Sequence, residues 1–322
     1  MSADTNIRAV VCIPTFRRPE WLARTLTSVL SQKTDFAFAI VVVDNDGAGQ
    51  AGAAVARTLL ADIEAGLVLV EHKQGNCHAI NTAFGAARKH FSTADYLLMI
   101  DDDEEAMPGW LQAMVDAADG SGADIVGGPV NREMVTPPGP GIAEHPLFFS
   151  IAQPTGAIDM IHGSGNCLIS RRVFETLPSP ELDLRFNFLG GGDMDFFTRC
   201  RKAGKRFFWS SEAEVLEYVP ADRLTAKFLM RRSLRTGMIN YAIDRKYRPG
   251  AAGLATLALK NLVSLGLSLP RAIGLLVQRR HWLPASHPPL MSIGRMAAMF
   301  GSTAEPYKAA NAPLAAAPDT KP

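Results

Sequence analysis

Apolar, β-branched runs alternate with helix-period stretches through the first third of the chain, and this alternation limits the fold more than any other feature. In order they read "AVVCIPTF", "PEWLARTLTSVLSQ", "FAIVVVDN", "GQAGAAVARTLLADIEAG", "LVLVEH", "HAINTAFGAARKHF" and "DYLLMIDD". That is βαβαβαβ order, and strands apolar along nearly their whole length predict a mostly parallel sheet covered on both faces. Pro19 suits a first helical turn, with Leu22, Leu26, Val29 and Leu30 following at helical spacing. In open α/β sheets ligands bind beyond the carboxyl ends of the strands. "PTFRR", "DNDGAG" and "DDDEE" fall at those ends.

Residues 1–120 thus read as a Rossmann-like half, and 121–240 as an α+β half of the same domain. The latter contains the strand "ADIVGGPV", the loop "VTPPGPGIAEHP" and the segments "HGSGNCLISRRVFETL", "FNFLGGGDMDFFTRCRKAGKRFFW" and "SEAEVLEYVP". Residues 241–301 read as an apolar helical segment, and the Ala- and Pro-rich 302–322 as a disordered tail.

Composition narrows the function classes. Lys and Arg number 33 against 32 Asp and Glu, a formal charge of +1, so no global bias toward nucleic acid exists. Cys12, Cys77, Cys167 and Cys200 form no CxxC pair, which predicts buried free thiols rather than a zinc site. "MSADTNIRAVVCIPTF" lacks the basic and long apolar regions of a signal peptide, so the expectation is a cytoplasmic protein.

Against that neutral background, Asp101 to Glu105 are five consecutive acids closing a buried strand. Packed carboxylates repel, and such a cluster needs solvent or a cation to compensate it. One reading is a solvated loop whose acids favour the dipole of the helix starting at "PGWLQAM". The other is a Mg²⁺ or Mn²⁺ site, since these ions take one or two carboxylates together with phosphate oxygens and water. Asp101 and Asp103, two residues apart, point the same way in extended backbone. A nucleoside diphosphate held through a metal fits that arrangement.

In "VVCIPTFRRPEWLARTLTSVLSQ", "IVVVDNDGAG", "LLMIDDDEEAMPGWL", "GSGNCLISRRVF", "GGGDMDFFTRCRKAG" and "PADRLTAKFLMRRSLRTG", taken in order over residues 8–240, the chain resembles family 2 glycosyltransferases of the GT-A fold, especially bacterial exopolysaccharide, succinoglycan-type members. The resemblance implies an α/β GT-A domain with a nucleotide-sugar-binding half and an acceptor-binding half that carries the catalytic base. It implies Pro14, Thr15, Arg17 and Asp44 at the base of a UDP-sugar. Asp101 and Asp102 serve ribose or metal-bound water, Asp103 is the direct ligand of Mn²⁺ or Mg²⁺, and Asp101 is a second candidate ligand. For Thr15 and Asp44 the alternative is a turn or helix cap.

A sugar hydroxyl needs a general base to attack at neutral pH. The family carries that base in a Glu-Asp pair before "xDxxxR", which "GGGDMDFFTRC" matches at Asp193. A single displacement inverts the anomeric carbon. Asn166, Asp195, Arg232 and Arg235 are acceptor or phosphate candidates, and Arg231 lies in the same basic stretch; the alternative for these arginines is a solvated helix face. Glu217 is either a third metal ligand or an Arg partner. There are two departures from the family pattern: Gly192 stands in place of Glu, and Ile80 in place of an Arg that contacts diphosphate, for which His78 or Lys73 is a substitute.

In residues 253–277, Lys260, Pro270 and Arg271 interrupt an otherwise apolar stretch, which reads as an interfacial helix flanked by Arg271, Arg279 and Arg280, or as a buried helical pair. The membrane reading implies a polyprenyl-diphosphate-linked saccharide acceptor at the inner face of the cytoplasmic membrane. The competing classes are a non-catalytic nucleotide-sugar-binding or scaffold protein, and a sugar-1-phosphate nucleotidyltransferase, whose Gly-rich phosphate loop "CIPTFRRPE" does not supply.

Overall fold

The computed structural model describes residues 6–302. Most of the tail expected from residue 302 onward lies outside them. The expected alternation forms as β1 (Ile7–Thr15), α1 (Pro19–Leu30), β2 (Ala37–Asp44), α2 (Ala51–Leu59), β3 (Gly66–Val70), α3 (Asn76–His90) and β4 (Tyr96–Ile100). There follow β5 (Glu104–Ala106), α4 (Trp110–Ser121), β6 (Ile125–Gly127), β7 (Val130–Met134), β8 (Gly156–Ile158), β9 (Asn166–Ser170), α5 (Arg171–Thr176), α6 (Gly192–Lys202), β10 (Phe207–Trp209) and β11 (Val215–Val219). Three long helices close the described chain: α7 (Ala226–Lys246), α8 (Gly250–Arg279) and α9 (Trp282–Met299).

The main sheet has the order β3-β2-β1-β4-β9-β6-β10-β8. Strands β1 to β4 are parallel to one another, while β9 runs antiparallel between β4 and β6. Side chains alternate between the faces, so both bury apolar residues. Val10, Cys12, Val41 and Val43 pack with Ile80, Phe84, Phe196 and Phe197 on one side. Ala9, Val11, Ile13, Ile40 and Val42 pack with Leu22, Leu26, Trp110 and Met114 on the other. All four cysteines are free and buried.

The single strand expected in "ADIVGGPV" is two. Pro129 cannot donate a ladder hydrogen bond, and there β6 leaves the main sheet and β7 joins a second sheet of order β5-β11-β7. This small sheet hangs directly beyond β4 and pairs Glu104 with Glu217 across β5 and β11.

Helix α8 runs unbroken for 30 residues through Pro270. Its buried stripe is Gly253, Leu257, Asn261 and Ser268, facing α9. The exposed positions include Leu259, Leu262, Val263, Leu269, Ile273 and Val277, which span roughly 120° of arc at 3.6 residues per turn. α8 thus packs on α9 through that stripe while much of its apolar surface lies on the outer side. It is long and apolar enough to cross a membrane by length and composition.

Candidate functional site

The register of β1 on its neighbours sets the site. Cys12 lies level with Met99, and β1 continues three residues further to Thr15, which is paired with Asp44. Thr15 therefore reaches the turn after β4, and its hydroxyl donates to Asp102 Oδ2 at 2.7 Å. The chain then turns sharply at Arg17, a non-glycine residue with φ of 57°. The turn sends the Arg17 guanidinium to Asp46 at 3.0 Å. Arg18 goes the other way, and its Nη1 is 3.1 Å from Asp102 Oδ1 and 2.8 Å from Asp103 Oδ2. Pro14, buried near the end of β1, lies beside Val43.

Asp44 has no exposed surface. Its carboxylate accepts the backbone N–H groups of Asp46 at 2.9 Å and Ala53 at 2.8 Å. It thereby closes the turn and caps the first turn of α2, where negative charge meets the positive end of the helix dipole. The cap alternative accounts for Asp44 as it stands. Asp46, which the sequence reading passed over, is the acid beside Arg17 that remains within reach of solvent.

Past β4, Asp101, Asp102 and Asp103 come together with Glu104, whose Oε2 accepts Asp101 N–H at 3.0 Å. Two arginines hold Asp103 Oδ2, Arg18 at 2.8 Å and Arg223 at 3.2 Å. No arginine or lysine pairs with Asp101 among the described residues. Burial, followed by the charges of Asp103, Asp102, Glu217 and Asp193, pushes Asp101 up to about 8. Glu104 is raised well above the ordinary range by burial and by Asp101 and Glu217. Asp101 is thus the carboxyl with no cationic partner, held toward its protonated form until a cation compensates it, whereas the carboxylate singled out from sequence, Asp103, already has two guanidinium contacts.

The donor set tests whether a divalent cation fits. Hard carboxylate oxygens with unmet negative charge are what Mg²⁺ or Mn²⁺ takes. No three or more His, Cys, Asp or Glu side chains converge on one point among the described residues. The residues therefore fit an ion held by one or two carboxylates and completed by diphosphate and water, not a cage built by protein alone. Glu217 takes the Arg-partner alternative, with Arg132 at 2.7 Å and Arg223 at 3.5 Å.

Asp193 lies in the first turn of α6 after Gly190 and Gly191, both at positive φ. Its Oδ1 accepts Met194 N–H at 2.8 Å. Burial raises its pKa against the opposing pull of that bond and of Arg232, and its charge is felt by Asp101. The Gly192 departure has a steric cause. A Cβ there would sit 2.6 Å from Cys77 Sγ and 3.3 Å from Leu182 Cδ2, so α6 can pass this close to the start of α3 only as glycine. Ile80 is 1% exposed, in the core, so that position cannot serve a diphosphate. Lys73 is exposed and His78 half-buried.

Two acceptor candidates are corrected. Asn166 accepts from Trp110 Nε1 at 2.8 Å and donates to the carbonyls of Pro129 at 3.0 Å and Ala213 at 2.8 Å, so both its amide hydrogens are spent joining the two sheets. Asp195 has no exposed surface and holds Lys246, Tyr247 and Arg199. Neither has capacity for an acceptor sugar. Arg231 is exposed on α7, and Arg232 and Arg235 are half-buried. Arg18, Glu104 and Arg223 were the functional-looking residues missed. The usable signal was charge balance, since five clustered acids require nearby cations.

The family described as Glycosyl transferase family 2 matches residues 10–177. The succinoglycan biosynthesis protein ExoM of Rhizobium meliloti is 32% identical over 226 residues, covering 69% of this chain and 71% of that protein. The glycosyltransferase AglE of Haloferax volcanii is 28% identical over 199 residues, covering 60% of this chain and 61% of that protein.

Proposed function

The chain belongs to glycosyl transferase family 2 and is a glycosyltransferase; from that premise we propose that it is an inverting, metal-dependent enzyme of cell-surface polysaccharide synthesis. In this reading it moves a sugar from a UDP-sugar to a hydroxyl of a polyprenyl-diphosphate-linked saccharide. What supports the reading is two acidic groups that act on one another at the sheet edge: Asp101, which pairs with no arginine or lysine among the described residues, and Asp193 in the first turn of α6.

Each residue's part follows from its chemistry. Thr15 and Arg17, beside Asp46, line the nucleotide end, while Asp44 shapes that end by capping α2. Asp101 and Asp103 would hold Mg²⁺ or Mn²⁺, which when bound neutralises charge on the leaving diphosphate. Arg18 and Arg223 keep Asp103 oriented and offer guanidinium forks suited to phosphate oxygens. Asp193 takes the proton of the attacking hydroxyl as its oxygen bonds to the anomeric carbon and the bond to diphosphate breaks. A raised pKa makes it a stronger base at neutral pH.

The outward apolar side of α8, with Arg271, Arg279 and Arg280, supports contact with an anionic bilayer at the inner face of the cytoplasmic membrane, where such an acceptor resides. The test is release of nucleoside diphosphate from a panel of UDP-, GDP- and dTDP-sugars with Mn²⁺, Mg²⁺ or EDTA, with and without bacterial membrane lipid extract. Turnover of one UDP-sugar, abolished by EDTA and stimulated by lipid, is expected. Turnover of no donor under any condition would overturn the proposal.

A further inference from the structure

The segment carrying Asp193 is gripped at two points by one lysine of a different helix. Lys246 Nζ, at the end of α7, is 2.8 Å from Asp183 Oδ2 and 2.6 and 2.7 Å from the two oxygens of Asp195. Asp183 lies ten residues before Asp193, and Asp195 lies in the same helical turn as it. Between the grips the chain passes Gly190 and Gly191, whose positive φ values of 89° and 88° give it little stiffness of its own. Tyr247 Oη adds a bond to Asp195 at 2.9 Å. Lys246 is 15% exposed and Asp195 fully buried, so this clasp is shielded from water and salt.

The same end of α7 is tied to the apolar helices. Asp244 accepts from Lys260 of α8 at 2.6 Å and from Arg295 of α9 at 2.8 Å. Asn261 of α8 in turn accepts from Arg295 at 2.9 Å. Charged contacts thus tie α8 and α9 to Asp244 and tie Lys246 to the turn that bears Asp193, and the last turn of α7 joins the two sets. Resting on the reading of Asp193 as the base, we propose that Lys246 is a positioning residue for it. Lys246 fixes the Asp193 turn against α7 and its Arg232, and makes the placement of the base depend on how the apolar helices α8 and α9 are seated.

The experiment compares Lys246→Met, Lys246→Arg, Tyr247→Phe and Asp193→Asn with the native chain. It uses the nucleotide-sugar the native chain turns over, UDP with Mn²⁺ as binding probe in calorimetry, and hydrogen exchange of amides 187–196. Lys246→Met is expected to lower kcat roughly ten- to a hundredfold, as misplacing a reacting group does, while UDP–Mn²⁺ affinity stays within about twofold. Exchange at 187–196 quickens, and Lys246→Arg restores most of kcat. A folded Lys246→Met with native kcat, or with only a raised KM, overturns the proposal. Should Lys246→Met fail to fold, Tyr247→Phe decides: a smaller fall in kcat supports the clasp, and native kcat overturns it. Asp193→Asn with native kcat would instead remove the base reading itself.

Discussion

Arg18 Nη1 stands 2.8 Å from Asp103 Oδ2 and, by the same nitrogen, 3.1 Å from Asp102 Oδ1. One guanidinium thus joins the end of β1 to the acidic turn after β4. Those carboxylates are 8–10% exposed, so losing the guanidinium leaves them poorly solvated.

Arg18→Gln is therefore expected to destabilise the protein by about 2 kcal/mol, the loss of a charged hydrogen-bonding partner in a partly buried place. Mn²⁺ should raise the melting temperature of the variant more than that of the native chain, because the cation replaces the missing positive charge. Equal shifts in both proteins would contradict an ion held by Asp101 and Asp103.

Gly192→Ala should cost about 1–3 kcal/mol, since its Cβ would stand 2.6 Å from Cys77 Sγ. At an open helical position the same change stabilises by nearly 1 kcal/mol. Removing the sulfur in Cys77→Ala should relieve the clash, so the two substitutions are strongly non-additive in a denaturation cycle. Additive costs would show that the crowding is not the reason for the departure from the family's Glu.

His145 and His287 meet edge to face with ring centroids 5.1 Å apart, linking the loop after β7 to α9. His287 Nδ1 shares a hydrogen bond with Ser233 of α7 at 2.8 Å. Burial pushes both down to about 4, and His287 adds to the effect on His145. Unfolded imidazoles titrate near 6.5, so between about 6.5 and 4 the unfolded chain binds more protons. The pair's contribution is complete above that window and is lost as pH falls through it. The melting temperature should drop more steeply from pH 6.5 to 4 in the native chain than in His287→Gln, and equal slopes would contradict this.

Helix α8 exposes Leu259 at 64%, Leu269 at 64% and Val277 at 73%. Co-sedimentation with vesicles containing phosphatidylglycerol should fall markedly in Leu259→Glu/Leu269→Glu at unchanged secondary structure. Binding that persists in the double variant would exclude α8 as the contact.

How far the sequence could be read depends on the range of each interaction. Continuous apolar strands and helical spacing are local, so β1 to β4 and their helices appear where the pattern put them. The second sheet did not, because β5 is three residues long and exists only through pairing with β11, over a hundred residues away. At the site, residue types near strand ends were legible, but their occupancy was not. Nothing in "GSGNC" says that Asn166 spends its amide on Pro129 and Ala213, and nothing near Asp195 says that Lys246 reaches it from 51 residues on.

The most direct test of the account pairs turnover with binding in Asp193→Asn and Asp103→Asn, reading nucleoside diphosphate release and the calorimetric affinity for UDP with Mn²⁺. The account predicts that Asp193→Asn loses roughly a hundredfold or more in kcat with UDP–Mn²⁺ affinity unchanged, while Asp103→Asn loses both. Native turnover in Asp193→Asn, or native UDP–Mn²⁺ affinity in Asp103→Asn, would contradict it.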